Sequence, residues 1–224
     1  MFSDTMEDYL KAIYVLQTEH GPPVSTSAIA EYLDKTPPTV TSMVSSLADH
    51  DLIAHEKYKG VELTEEGETV ALEVIRHHRL LETYLTEQLD YDWHEVHEEA
   101  DALEHHISEE FERRVADALD NPSVDPHGDP IPGVELDPIE GDDAVRLTEF
   151  EPGDHVVVAR VSDRDEDELT YLEAAGITPG TELEITDIAP FDMVTVETAT
   201  GDEQSLPESV ARSIRVEPVD EAVA

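Results

Sequence analysis

Residues 36–53, "TPPTVTSMVSSLADHDLI", decide how the first third of the chain is read. Thr36 can cap a helix, and Pro37 suits the first turn, where its missing N–H would have no partner anyway. Val40, Val44 and Leu47 then recur at helical spacing as a buried stripe that stops near His50. The opposite face carries Pro38, Thr39, Ser42, Ser45 and Ser46, which are small, mostly hydroxyl-bearing and uncharged. Such a face can enter a DNA major groove, where hydroxyls meet base edges or phosphates and a threonine or proline meets a thymine methyl. A helical bundle with a solvated Ser/Thr face would show the same pattern, so the flanking segments have to decide.

Upstream, Asp4 and Glu7 have capping-box spacing, and Tyr9, Leu10, Ile13 and Leu16 carry a helix to about Gln17. "HGPPVS" breaks it, Ser25 can cap a second helix through Ala28, Ile29, Tyr32 and Leu33, and "DKTPP" ends that one. Downstream, "LIAHEKYKGVELT" has apolar ends and a Lys-Gly turn, the pattern of a small hairpin. Helix, short helix, turn, helix, hairpin is the order of a winged helix-turn-helix, predicted over residues 1–64. Its candidate DNA contacts are Lys35, Thr36, Pro38, Thr39, Ser42, Ser46, Lys57 and Lys59, with the lysines placed for phosphates at the loop and the wing.

From Thr64 a long helix runs through "EEGETVALEVIRHHRLLETYLTEQL", and "YDWHEVHEEADALEHHISEEFERRVADAL" adds one or two more, giving a helical domain over residues 65–120. Val70, Leu72, Val74, Leu80, Leu81, Tyr84 and Leu85 are more apolar surface than one wing would bury, which suggests a dimer interface. Residues 121–146, rich in Pro, Gly and Asp, read as a linker with ordered turns. Over residues 147–220 the pieces "DHVVVARV", "TELEITDIA", "MVTVET" and "SIRVEPV" are short and turn-separated, as in a small all-β barrel.

On the helical segment, His78 and Glu82 stand at i, i+4, and Asp101, Glu104 and His105 at i, i+3 and i+4, with His97 just before them. A lone pair of this kind is usually solvated surface, but six such residues on neighbouring helices make a ligand set for Mn²⁺ or Fe²⁺. Helical phase turns His77 and His106 away, towards solvent. The chain has no cysteine, which excludes disulfides and thiolate metal sites.

Charge is the outlier of the composition: 55 acids against 13 Lys plus Arg leave −42 on 224 residues. In dilute salt the compact state would repel itself. A halophilic cytoplasm fits, because at molar ionic strength the Debye length falls to about 3 Å. Residues 1–64 carry 10 acids and 4 bases, residues 65–120 carry 18 and 4, and residues 121–224 carry 27 and 5, so the first block is the one suited to meet a polyanion. No apolar run approaches the roughly 20 residues that cross a bilayer, and the N-terminus "MFSDTMEDYL" lacks the order of a signal peptide, so the expected location is cytoplasmic.

In the order of its elements the chain resembles the diphtheria toxin repressor family of metal-dependent transcriptional regulators, and its manganese-transport-regulator branch in particular. "MEDYLKAIY" looks like the family's first helix, "TPPTVTSMVSSLADHDLI" its recognition helix and "EKYKGVELTEEG" its wing. "HRLLE" and "VHEEADALEHHIS" look like its metal-binding helices, and "GDPIPG" like the turn after the dimerisation helices. The resemblance implies a mainly α N-terminal half, winged helix-turn-helix plus helical dimerisation domain, and a C-terminal SH3-like, FeoA-like barrel.

It further implies a regulatory metal site of Asp8, Asp101, Glu104 and His105, with Asp8 where the iron-responsive branch has methionine and Asp101 where it has cysteine. Hard oxygen replaces both soft donors, which favours Mn²⁺ over softer ions. The implied ancillary site is His78, Glu82 and His97, completed by Asp165 and Glu168 of "DRDEDEL". Lys11 departs from the manganese branch, which has there an acid that helps to bind a second ion. The expected function is a homodimeric, metal-activated repressor of metal-ion uptake genes, binding double-stranded operator DNA. A hydrolase using the His/Glu cluster and an acidic metal buffer that binds no DNA are the alternatives. Against the hydrolase, no nucleophile motif or phosphate loop is evident.

Overall fold

Ser3 starts the first helix: its hydroxyl accepts from the Met6 amide, and α1 runs Asp4–His20. The cap is therefore Ser3 rather than Asp4, and Asp4 and Glu7 fall in the first turn, where the helix dipole favours acids. The computed structural model describes residues 2–56, 59–139, 144–190 and 193–219. Ser25 caps α2 (Thr26–Tyr32) through the Ala28 amide, and Pro37 begins α3 (Pro37–Asp49). The hairpin pairs β1 (Ile53–Glu56) with β2 (Gly60–Leu63) in antiparallel register from Ile53↔Leu63 to Glu56↔Gly60.

The wing is locked to the loop before α2 by two Val24–Val61 backbone bonds of 2.8 Å. This approach requires glycine at position 60: φ is +134°, and a Cβ there would lie 2.3 Å from the Val24 carbonyl oxygen. Tyr9, Leu10, Ile13, Ile29, Val40, Val44, Leu47, Leu52 and Leu72 make one continuous core under these elements. Truncating a fully buried member such as Leu47 to alanine costs about 2–5 kcal/mol.

Then follow α4 (Glu65–Leu89), α5 (Val96–Leu103) and α6 (Glu109–Ala118). Leu72, Val74, Leu80, Leu81 and Leu85, which the sequence offers as interface surface, are buried within this chain. The chain divides into two units: Met1–Leu81 with Asp101–Asp117 and Ile131–Ile139, and Glu82–Ala100 with Ala118–Pro130 and Glu140–Ala224. The stretch read as a linker is thus folded into both. In the second unit, Asp125 Oδ1 accepts from the amides of His127 and Asp129, making a tight turn. Gly128, at φ +90°, lets that turn approach Ala159, whose carbonyl oxygen would lie 2.1 Å from an added Cβ. In the first, the Tyr14 hydroxyl accepts from the Ile139 amide.

The second unit also holds an antiparallel six-stranded sheet of order β3-β8-β4-β5-β6-β7. Its strands are β3 (Val145–Arg146), β4 (His155–Val161), β5 (Glu182–Ala189), β6 (Met193–Thr198), β7 (Glu203–Leu206) and β8 (Ile214–Pro218). Alternation sends Val156, Val158, Leu183, Ile185, Val194, Val196, Ile214 and Val216 into one core. Two short helices, α7 (Glu166–Ala174) and α8 (Glu208–Ser213), add Leu169, Leu172, Val210 and Ala211 to it. Among the described residues no helix is long and apolar enough to cross a membrane.

Candidate metal centre

The helix carrying Asp101 stops earlier than its periodicity suggests. α5 ends at Leu103, so Glu104 and His105 lie in the turn before α6 and not on a continued helical face. Ser108 is the reason, since its side chain accepts from the Phe111 amide and its carbonyl from the Glu112 amide, which starts a new helix.

That turn faces α1 within the first unit. His105 Nε2 stands 2.9 Å from Asp8 Oδ1 and 3.4 Å from Glu104 Oε1. Its other nitrogen, Nδ1, is 2.7 Å from Glu7 Oε2, a contact that fixes the ring and turns Nε2 towards Asp8. His78 Nδ1 lies 2.6 Å from Glu104 Oε2 and 3.1 Å from Asp101 Oδ1. Lys11 Nζ reaches Asp101 Oδ1 at 3.0 Å and the two Glu104 oxygens at 2.9 and 3.2 Å. Asp8, Asp101, Glu104 and His105 are thus gathered in one place, together with His78, Glu7 and Lys11.

The electrostatics follow from these contacts. Burial raises the Asp8 carboxyl above its ordinary range, against the pull of His105. Burial works the same way on Glu104, but His78 and Lys11 outweigh it and hold that carboxyl low. His105 is raised, because Glu7, Glu104 and Asp8 together overcome its desolvation. Lys11 is raised too: burial opposes its charge, and Glu104 and Asp101 more than compensate.

These donors suit a divalent cation. Asp8, Glu104 and His105 each offer a ligand atom, and the three atoms lie within 4.8 Å of one another. Oxygen and imidazole nitrogen make up the whole set, the chemistry that Mn²⁺ and Fe²⁺ accept.

In the second unit a different group forms around Glu82, which is fully buried. His97 Nδ1 lies 3.3 Å from Glu82 Oε1 and 3.1 Å from Asp163 Oδ2. On the other side, His127 Nδ1 lies 3.7 Å from Glu82 Oε2, and Glu82, Asp125 and His127 again offer atoms within 4.8 Å of one another. His127 Nε2 donates to the Trp93 carbonyl, while Nδ1 is buried with no hydrogen-bond partner among the described residues. With Glu82 facing it, that nitrogen is suited to a second proton or a cation. Burial disfavours the proton, but Glu82 outweighs it, and the pKa is pushed up to about 9.

Glu7, Asp125, His127 and Asp163, which the sequence reading did not include among its donors, lie beside them in the structure. Asp165 Oδ1 accepts from the Glu168 amide as the cap of α7, and Glu168 sits in that helix's first turn. Asp163 is the acid of that run that reaches His97. The capping spacing from Asp165 to Glu168 was the available signal. His78, one helical turn before Glu82 on α4, meets Asp101 and Glu104 in the first unit. His77, expected at the surface, is buried, with Nδ1 3.1 Å from the Glu104 carbonyl and Nε2 3.7 Å from Glu112. His106 is exposed.

On α3 and just before it the DNA-reading candidates present an open face: Lys35, Thr36, Pro38, Thr39 and Ser42 are exposed and Ser46 half-buried. The Thr36 and Thr39 hydroxyls lie 2.8 Å apart and hold each other in place. Lys59 is exposed and pairs with Glu56 at 2.6 Å. Lys57 lies outside the described residues.

Three family models match the chain. The N-terminal DNA-binding domain of iron dependent repressors covers residues 1–61, their metal binding and dimerisation domain residues 64–133, and the FeoA domain residues 145–218. The iron-dependent repressor IdeR of Mycobacterium tuberculosis is 39% identical over 227 residues, 96% of this chain and 98% of its own. The diphtheria toxin repressor of Corynebacterium diphtheriae is 33% identical over 96% of this chain and 97% of its own. Among solved structures, a manganese-dependent transcriptional repressor in complex with manganese superposes with a TM-score of 0.88 at 36% identity, covering 96% of this chain and all of that one. IdeR of T. acidophilum superposes at 0.79 with 28% identity, over 98% and 100% of the two chains.

Proposed function

The chain belongs to the iron-dependent repressor family, that of the diphtheria toxin repressor, and is a metal-dependent DNA-binding transcriptional repressor; we propose that Asp8, Asp101, Glu104 and His105 hold its activating ion, Mn²⁺ or Fe²⁺. One observation carries this reading. Asp8 belongs to α1 of the DNA-reading segment, Glu104 and His105 belong to the turn between α5 and α6, and His105 Nε2 stands 2.9 Å from Asp8 Oδ1.

When bound, a divalent ion supplies the positive charge that lets these carboxylates approach one another. Asp8 is part of the α1 body, to which α3 is joined through the shared core. Glu104 and His105 fix the other end, and Glu7 holds the His105 ring so that Nε2 remains available. In a homodimer the link sets the gap between two α3 helices, which has to match successive major-groove faces of a palindromic operator.

We read residues 1–64 as the reading head, 65–120 as the metal-binding and dimerisation helices and 147–220 as an attached FeoA-type domain. Glu82, His97 and Asp163, with Asp125 and His127, form the ancillary site. The donor set supports Mn²⁺ over softer ions, the targets are metal-ion uptake genes, and the site serves binding and not turnover, in the cytoplasm. The least acidic block is the one that meets DNA. Because counterion release is weak at molar salt, base and shape contacts carry more of the affinity, and the salt slope is shallow.

The test is fluorescence anisotropy in molar KCl, using a palindromic duplex selected from random DNA by the Mn²⁺-loaded protein. Titrations with Mn²⁺, Fe²⁺, Zn²⁺ and Mg²⁺ are expected to give binding with the first two at the lowest concentrations, and little with Asp8→Ala. Equal binding by wild type and Asp8→Ala at every concentration refutes the site.

A further inference from the structure

The regulatory cluster contains a cation of its own. Lys11 follows Asp8 by three residues on α1, and its Nζ contacts three oxygens of Asp101 and Glu104 at 2.9–3.2 Å. Its side chain is 20% exposed and that of Glu104 1%. His78 Nδ1 meets the same two carboxylates at 3.1 and 2.6 Å. His78, Asp101 and Glu104 therefore form a second set of three ligand atoms within 4.8 Å, and Glu104 is shared with the set of Asp8, Glu104 and His105. Two adjoining sets that share a carboxylate are the arrangement that holds a pair of ions about 3.5–4 Å apart. Here the carboxylates of one set are already in contact with an ammonium.

We propose that the Lys11 ammonium is the resident second cation of this cluster: it takes the place of an ion in the set of His78, Asp101 and Glu104, and limits the cluster to one divalent ion per chain. This rests on the reading of Asp8, Asp101, Glu104 and His105 as a metal site, with Asp101 and Glu104 also facing Lys11. Charge and geometry agree on it. Three carboxylates serve the two sets, and one divalent ion with one ammonium neutralises them, whereas two divalent ions beside Lys11 would leave the cluster strongly positive. An ammonium has three donors, and the three oxygens at 2.9–3.2 Å lie within the range of charge-assisted hydrogen bonds. Removing that charge returns the second set to the state of an ordinary His/carboxylate ligand group.

The experiment counts Mn²⁺ per chain on the full-length protein, by metal analysis after gel filtration, with electron paramagnetic resonance to detect closely spaced ions. The proteins are wild type, Lys11→Gln, Lys11→Arg and Asp8→Ala. Lys11→Gln is expected to bind one more Mn²⁺ per chain than wild type and to show the signal of a spin-coupled pair, while Lys11→Arg keeps the wild-type count. An unchanged count in Lys11→Gln overturns the proposal. A coupled pair in saturated wild type overturns it as well, and that reading stands even if the variants do not fold. Asp8→Ala separates the two ideas: if it loses no ion relative to wild type, the metal-site reading fails, whatever Lys11→Gln shows.

Discussion

In the first unit, Asp101 and Glu104 face the Lys11 ammonium, whose charge is present at any pH the protein meets. In the second, Glu82 and Asp163 face the imidazoles of His97 and His127, which lose their charge when they lose a proton. Both regions are built of carboxylate and histidine, and both carry sets of ligand atoms within 4.8 Å. The difference is where the positive charge comes from. A lysine fixes part of it covalently and leaves one vacancy of charge to fill, whereas a histidine gives up its proton to make room for an ion. A site with fixed charge suits a switch that counts one ion. A site of imidazoles responds to protons and metal alike.

Perturbing the first region is expected to have the largest effect. Asp8→Ala and Glu104→Gln should each abolish the gain in operator affinity that Mn²⁺ confers, on the order of 5–150-fold, when measured by anisotropy. In the second region, Glu82→Gln should weaken metal binding there by about 10–100-fold in a calorimetric titration, while operator binding at saturating Mn²⁺ falls far less. Equal damage to DNA binding from both regions would erase the proposed distinction.

How much of this was legible beforehand can be followed residue by residue. Val40, Val44 and Leu47 predict α3 because their spacing is local, and β4, β5, β6 and β8 follow from alternation in the same way. Ser3 and Asp4 are both good caps, and only the hydrogen bond from the Met6 amide separates them. His127 sits in a Pro/Gly/Asp stretch with no periodicity, so nothing in the sequence signals that it is buried beside Glu82, 45 residues earlier in the chain. Likewise, Lys11 and Asp101 are 90 residues apart, and their contact exists only in three dimensions. Asp163 was hidden among neighbouring acids, one of which is spent on capping α7. The surface reading of His77 failed because α6 covers that side of α4, placing Glu112 against it.

Protons sharpen the contrast further. His127 has a folded pKa of about 9 against an ordinary 6.5, so its contribution to stability is complete below 6.5 and is lost as the pH rises through 9. Metal-free protein should therefore lose on the order of 2 kcal/mol over that interval in denaturant melts, and His127→Gln should flatten the dependence. The smallest effect belongs to the wing. Lys59→Ala, which removes an exposed charge that the wing reading assigns to a phosphate, should lower operator affinity about threefold in molar KCl without changing sequence preference.

The central claim is that the ion sets the gap between two reading heads. With no cysteine in the natural chain, Ser45→Cys gives one label per protomer on the exposed side of α3, and resonance energy transfer across the dimer reports that gap directly. A distinct and narrower distance distribution on adding Mn²⁺, absent in the same variant carrying Asp8→Ala, is the predicted result. Identical distributions with and without the ion would contradict it.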